Sequence, residues 1–266
     1  MATFSHLYSS ALTQELGTND STQLFTDARR QDAINDGVLT FADLTECAIR
    51  QSSVTCSNGV REYNLLSTVN VPDGDYLRLA SQGPEYHFTN DTGTVTYVAG
   101  PDDFPRREIP WLNQYDPGWR TSTGGVPSAY YERADGGAKF FGLTPPPEID
   151  SSESAKIILP YVAKPAVMTA STDIPFTFGS TVRSDLEPYH QAPVHFAAYK
   201  LEKLRLNEPG SQAQLQQFLG YVDRYTRAQR PKGGQQVKLG RNYFSEVRSR
   251  RGGQDVEQPV PYPWRT

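Results

Sequence analysis

The sequence predicts an α+β chain. Helix pairs at its two ends pack as an α-helical bundle, an antiparallel β-sandwich or barrel-like domain is inserted between them, and an extended arm follows at the C-terminus. Three observations carry this. Apolar residues recur at helical spacing near both ends. Between them the pattern switches to polar–apolar alternation broken by short turn sequences. Beyond about residue 230 it gives way to a basic, glycine- and proline-rich stretch. The divisions read as 1–54, 55–180, 181–230 and 231–266.

In the first division Leu24, Phe25, Ala28 and Ile34 follow helical spacing, and Asn35-Asp36-Gly37 predicts a stop with Gly37 as C-cap. Thr40-Phe41-Ala42-Asp43 reads as a capping box with Asp in place of Glu, opening a second helix whose stripe is Phe41, Leu44, Cys47 and Ala48. A short loop between such helices predicts an antiparallel hairpin.

From about Thr55 the alternation of strands sets in. Segments 62–65 and 75–79 alternate as half-buried strands do, 85–88 with 94–98 and 129–131 with 139–141 each flank a short turn sequence, and 156–159 with 161–162 supplies a last strand. Asn90-Asp91-Thr92-Gly93 and Asp135-Gly136-Gly137 supply hairpin connections. Pro160 predicts an edge or a bend in the last strand. Pro101 to Pro127 reads as one long loop holding Trp111 and Trp119.

Helical spacing returns near Leu186. Ala192, Phe196, Tyr199 and Leu204 make one stripe, with Pro193 near the helix start. Asn207 to Gly210 breaks it, and Ser211 is the expected cap of a helix with Leu215, Phe218, Leu219, Val222 and Tyr225 on its apolar face, running to about Gln229. Neither pair can bury its stripe alone, so the two are expected to pack on each other.

Composition narrows the function classes. The 266 residues include 26 Lys+Arg, 30 Asp+Glu and two Cys, with mean hydropathy −0.58. No run of about 18 apolar residues predicts a membrane span. The start lacks the basic flank and apolar core of a signal peptide, so a soluble, intracellular chain is expected. The net charge of −4 is unevenly spread: Arg224 to Arg251 holds nine basic residues against Glu246, leaving this segment at +8 and the remainder at −12. Such a tail suits nucleic acid, an acidic protein surface, or plain solvation. Tyr243, Phe244, Tyr262 and Trp264 favour an arm that orders on a partner.

Catalytic signatures are scarce. His190 and His195 are five residues apart, off the i, i+4 face a metal needs. Cys47 and Cys56 match no zinc spacing and read as reduced packing residues. Phosphate-loop, dinucleotide and nucleophile-elbow motifs do not occur. Asp102, Asp103 and Asp116 could serve a hydrolase, although aspartates beside proline and glycine are ordinary turn formers. Neither a cofactor nor a metal is expected. Trp111, Tyr115 and Trp119, four residues apart, are open to two readings: a contact platform for sugar or protein, or a mini-core folding the loop over the sheet, which is preferred. A carbohydrate-binding sandwich module would use that platform but leaves the helix pairs unexplained.

Two groups of segments carry recognisable signatures. They are Leu16-Gly17-Thr18-Asn19-Asp20-Ser21 with Leu24-Phe25-Thr26 and Ala28-Arg29-Arg30, and Ala33-Ile34-Asn35-Asp36-Gly37 running into Phe41-Ala42-Asp43-Leu44-Thr45-Glu46-Cys47. Further on they are Trp111-Leu112, Tyr115-Asp116-Pro117-Gly118-Trp119-Arg120, Pro127-Ser128-Ala129-Tyr130-Tyr131 and Leu143-Thr144-Pro145-Pro146-Pro147. The first group resembles the N-terminus of tailed-bacteriophage virion proteins and the second is similar to phage head-to-tail adaptor (neck, connector) proteins, the resemblance spanning residues 10 to 245 as a pattern of structural signatures.

It implies a non-enzymatic virion protein of the neck region, assembled in the host cytoplasm as a ring, usually a 12-mer. Its partners would be the portal protein above and a tail or nozzle protein below, with non-specific contact to packaged DNA possible in principle and no membrane. C-terminal arms of such proteins reach the portal. Here Tyr243, Phe244 and Trp264 would fill pockets while Arg241, Arg248, Arg250 and Arg251 pair with carboxylates. Trp111, Tyr115 and Trp119 would then be the loop or tail-facing contact.

Overall fold

The computed structural model describes residues 1–17, 25–67, 70–71, 75–100 and 102–229. The chain is α+β with antiparallel sheets, as the hydrophobic patterning predicts.

A π-helical segment, His6–Ala11, leads into α1 (Leu12–Leu16). Phe4, Leu7, Leu12 and Leu16 bury one side of this stretch, which the periodicity reading left out. Thr26 then caps α2 (Asp27–Thr45), its hydroxyl accepting from the Arg29 N–H at 3.4 Å.

The expected break at Gly37 is absent, because α2 runs through it. A Cβ at Gly37 would lie 2.7 Å from the Pro193 carbonyl oxygen and 2.8 Å from its Cα. The glycine therefore lets two helix backbones approach and does not cap. Thr40 to Asp43 lies inside α2, and Glu46, in the left-handed region at φ 51°, is its C-cap. The Glu46 carboxylate accepts from Arg78 at 2.7 Å and from the Ser81 hydroxyl at 2.7 Å. Cys47 and Ala48 belong to the crossing into the first strand, which starts before Thr55.

Gly37→Leu is expected to destabilise the fold by about 3 kcal/mol, since backbone rather than a side chain must give way. Gly220→Ala, on an open helical face with nothing within 4 Å, should raise stability by up to about 1 kcal/mol. Paired denaturant titrations check both.

The strands are β1 (Ile49–Thr55), β2 (Glu62–Asn64), β3 (Tyr76–Leu79), β4 (Glu85–Thr89) and β5 (Val95–Ala99), followed by β6 (Ala129–Asp135), β7 (Ala138–Thr144) and β8 (Ser154–Ala163). One sheet runs β1-β8-β4-β5, with β3 also on β8, and a second runs β2-β7-β6. The β4–β5 and β6–β7 hairpins turn where the glycine-rich tetrads and triads predict.

β8 is central rather than an edge. Its β1 side is paired throughout, while its other side is shared by β3, up to Leu79↔Tyr161, and β4, from Glu85↔Ile158. Pro160 sits at that handover. Its carbonyl accepts from Ala80 N–H at 2.9 Å, so the ring nitrogen faces the same gap, where a missing donor is least costly. The two sheets share one core: Phe104 lies 6.2 Å from Tyr86 of β4 and 5.4 Å from Tyr130 of β6.

A small hairpin, β9 (Thr177–Phe178) with β10 (Thr181–Val182), precedes a 3-10 turn at Ser184–Tyr189. The long stretch before β6 is not all loop, for it holds α3 (Ile109–Tyr115). The closing helices are α4 (Ala192–Leu204) and α5 (Glu208–Gln229). Asn207 rather than Ser211 caps α5: its side-chain oxygen accepts from Gly210 N–H at 3.3 Å, and Ser211 is buried inside the helix. Leu201, not Leu204, carries the α4 stripe inward.

α4 packs on α1, α2 and α5, so the helices of the two chain ends do cover each other. Phe41 of α2 is the centre of that contact, within 5.2–6.4 Å of the Phe176, Tyr189, Phe218 and Tyr225 rings. Lys200 of α4 pairs with Asp36 of α2. Among the described residues no helix is long and apolar enough to cross a membrane.

Candidate functional site

The segment that carries Trp111, Tyr115 and Trp119 is fixed at one end to β6 and at the other to the chain just past β7. Arg107 N–H donates to the Tyr130 carbonyl at 2.7 Å, and Gly125 N–H donates to the Pro146 carbonyl at 2.9 Å. Between these points α3 starts at Ile109, with Pro110 in its first turn, where a missing N–H costs little.

The helix has two faces. Leu112 and Ile109 point inward to Trp119 and Tyr131, a small cluster separate from the main core. Tyr131 alternates with Tyr130, so this cluster covers the outer face of the sheet whose inner face meets Phe104. The Tyr131 ring lies over Gly142, where a Cβ would come within 2.1 Å of it. Its hydroxyl donates to Glu62 at 2.9 Å. Hydrogen bonding from Arg133 holds the Glu62 carboxyl below its usual range, and burial raises the Tyr131 phenol.

Trp119 is only 4% exposed, 5.0 Å from Tyr131 and edge-on to it. Its indole N–H donates to Asn113 at 3.0 Å, the Arg120 guanidinium lies 4.6 Å over it, and Arg61 donates to its carbonyl oxygen. These contacts make Trp119 part of a mini-core.

Trp111 and Tyr115, at i and i+4, share the outward face. Their ring centroids are 5.2 Å apart, the Arg107 guanidinium covers Trp111 at 4.3 Å, and the two rings remain 38% and 63% exposed. The three aromatics thus separate into one structural ring and one open pair backed by a cation. Residue types Trp, Tyr and Arg are those that dominate contact energetics at protein interfaces. Sequence reasoning missed Arg107, which lies before the N-terminus of α3 and so has no helical spacing to signal it.

The remaining candidates sit apart. Asp102 and Asp103 occupy an exposed turn, and Asp116 ends α3. His190 packs against Phe176, its pKa pushed down to about 4 by burial. His195 stacks on Tyr221 and bonds Gln214 at 2.7 Å. Burial pushes the Cys47 thiol up to about 11 and the Cys56 thiol up to about 12, so neither supplies a thiolate at neutral pH. Among the described residues no group of three His, Cys, Asp or Glu could hold a metal. Arg241, Tyr243, Phe244, Arg248, Arg250, Arg251 and Trp264 lie outside the described residues.

A family model described as SU10 adaptor protein matches residues 2–239. The chain belongs to the SU10 adaptor protein family. This makes it a structural adaptor component of a bacteriophage virion, in agreement with the resemblance seen in the sequence. The match to the SU10 adaptor proteins takes in the helices of both ends and every strand of the insert, and it stops short of the arm's aromatic residues. Family membership implies association with portal and tail components of the phage. No curated protein matches the chain.

Proposed function

We propose that the chain forms a ring, of twelve copies, beneath the portal and links the DNA-filled capsid to the tail or nozzle protein below. The observation that carries the reading is the SU10 adaptor match across residues 2–239. In this reading residues 1–54 and 181–230 act as the bundle of the ring and 55–180 as its β domain, while 231–266 is the arm that docks on the portal. Assembly takes place in the host cytoplasm and the mature location is the neck of the virion.

The division of labour has a physical logic. A connector must transmit load without deforming, and a bundle closed around Phe41 supplies a stiff body. Attachment is better served by an aromatic and basic segment, because Tyr243, Phe244 and Trp264 bury much area with few rotors while arginines set register. The open Trp111–Tyr115 pair on the insert is the matching contact toward the tail.

Virions assembled without this chain are expected to be filled heads lacking tails. Electron microscopy of such particles beside complemented ones checks it. Normally tailed, infectious particles would contradict the linking role.

A further inference from the structure

β5 is an open edge strand of unusual character. It pairs only with β4 among the described residues, and four of its five residues are exposed. Val95, Tyr97 and Val98 keep 48%, 40% and 49% of their surface accessible. Natural edge strands are commonly protected by lysine, proline or bulges. β5 contains neither lysine nor proline, and its one register shift, at Thr96, leaves Tyr97–Ala99 regular. A surface of this kind in a stable protein is explained if something covers it.

The sheet itself indicates what fits. Its two outer strands are β5 and β1, and β1 pairs only with β8 among the described residues. Because β1-β8-β4-β5 are antiparallel in succession, β5 runs opposite to β1. A β1 placed beside β5 therefore continues the antiparallel order without a break.

Charge agrees at both ends. From residue 79 to 105 the chain has no Lys or Arg, while Asp91 precedes β5 at the hairpin tip and Asp102 and Asp103 follow it, all three exposed. In the antiparallel arrangement Asp91 comes to the Thr55 end of β1, where exposed Lys156 lies opposite on β8. Asp102 and Asp103 come to the Ile49 end, where exposed Lys164 follows the Ala163–Ala48 hydrogen bond. Neither lysine makes an ion pair among the described residues.

We propose that the β5 edge of one copy pairs antiparallel with the β1 edge of the next, joining neighbouring copies head to tail. The contact is heterologous, so it propagates and closes into a ring when the rotation per copy allows. The proposal rests on the ring reading above and names the surfaces that make the ring.

Cysteine pairs test it in the full chain mixed with its portal. Val98→Cys is combined in turn with Gln51→Cys and Ser53→Cys, all at exposed positions, while native Cys47 and Cys56 are buried. After mild oxidation with copper phenanthroline, denaturing gels are expected to show a ladder of covalent multimers for at least one pair and monomers for each single variant. A second variant, Val98→Lys, is expected to lower ring yield at least tenfold with an unchanged circular dichroism spectrum. Rings visible by electron microscopy without a ladder from either pair, and unaffected by Val98→Lys, would overturn the strand pairing and leave the ring reading standing. Dimers from Val98→Cys alone would overturn it in favour of β5 pairing with β5. Absence of any oligomer from the unmodified chain with portal would instead remove the ring reading itself.

Discussion

A chain truncated after residue 231 is expected to lose portal binding and to keep its fold. The fold follows from where the core closes. Phe218, Val222 and Tyr225 are the last large buried apolar side chains of α5, and the helix runs four residues beyond them to Gln229. The binding loss follows from composition. Removal of Tyr243, Phe244 and Trp264 takes away three aromatic anchors, each worth about 2 kcal/mol when it fills a pocket. Even two such anchors correspond to about a thousandfold in affinity. Sedimentation of both forms with portal reads the loss, and circular dichroism reads the fold. If the arm served DNA, the full chain would shift plain duplex DNA on a gel with a steep loss between low and moderate salt. The truncated chain would then bind portal as tightly as the full one.

Phe41→Ala should cost about 4 kcal/mol. The ring is fully buried and touches aromatic partners from the segment before β9, the 3-10 turn and α5. Its removal opens a cavity walled by elements from both chain ends, which cannot collapse onto it without moving whole helices. For a protein of this size the loss lowers the melting temperature by roughly 10 °C. Leu206→Ala, at a side chain 91% exposed, should change stability by less than about 0.5 kcal/mol. Thermal melts of the two variants beside the parent check the contrast.

The parts legible in the sequence were those whose signal is local. Alternation located β2 and β3, and the turn sequences before Val95 and Ala138 fixed the two hairpins that hold β4, β5, β6 and β7. The parts that were not legible depend on partners distant in the chain. Gly37 reads the same whether it caps a helix or admits Pro193, and only the tertiary approach decides. Pro160 breaks a strand by local rules, yet at the handover from β3 to β4 its missing donor meets no waiting acceptor. α3, seven residues long with proline in its first turn, carries too short a period to stand out from a loop. The same holds for the candidate site. Spacing brought Trp111, Tyr115 and Trp119 to attention together, but it could not reveal that Tyr131 over Gly142 would draw Trp119 inward and leave the other two outside.

A chain that joins the portal as a ring adds a defined mass to it. Light scattering on a sizing column, with the chain alone and then mixed with its portal, tests this most directly. The expected result is a complex whose mass exceeds that of the portal by a fixed multiple of 29.7 kDa, twelve for the proposed ring. A chain that stays at its monomer mass and elutes apart from the portal would contradict it.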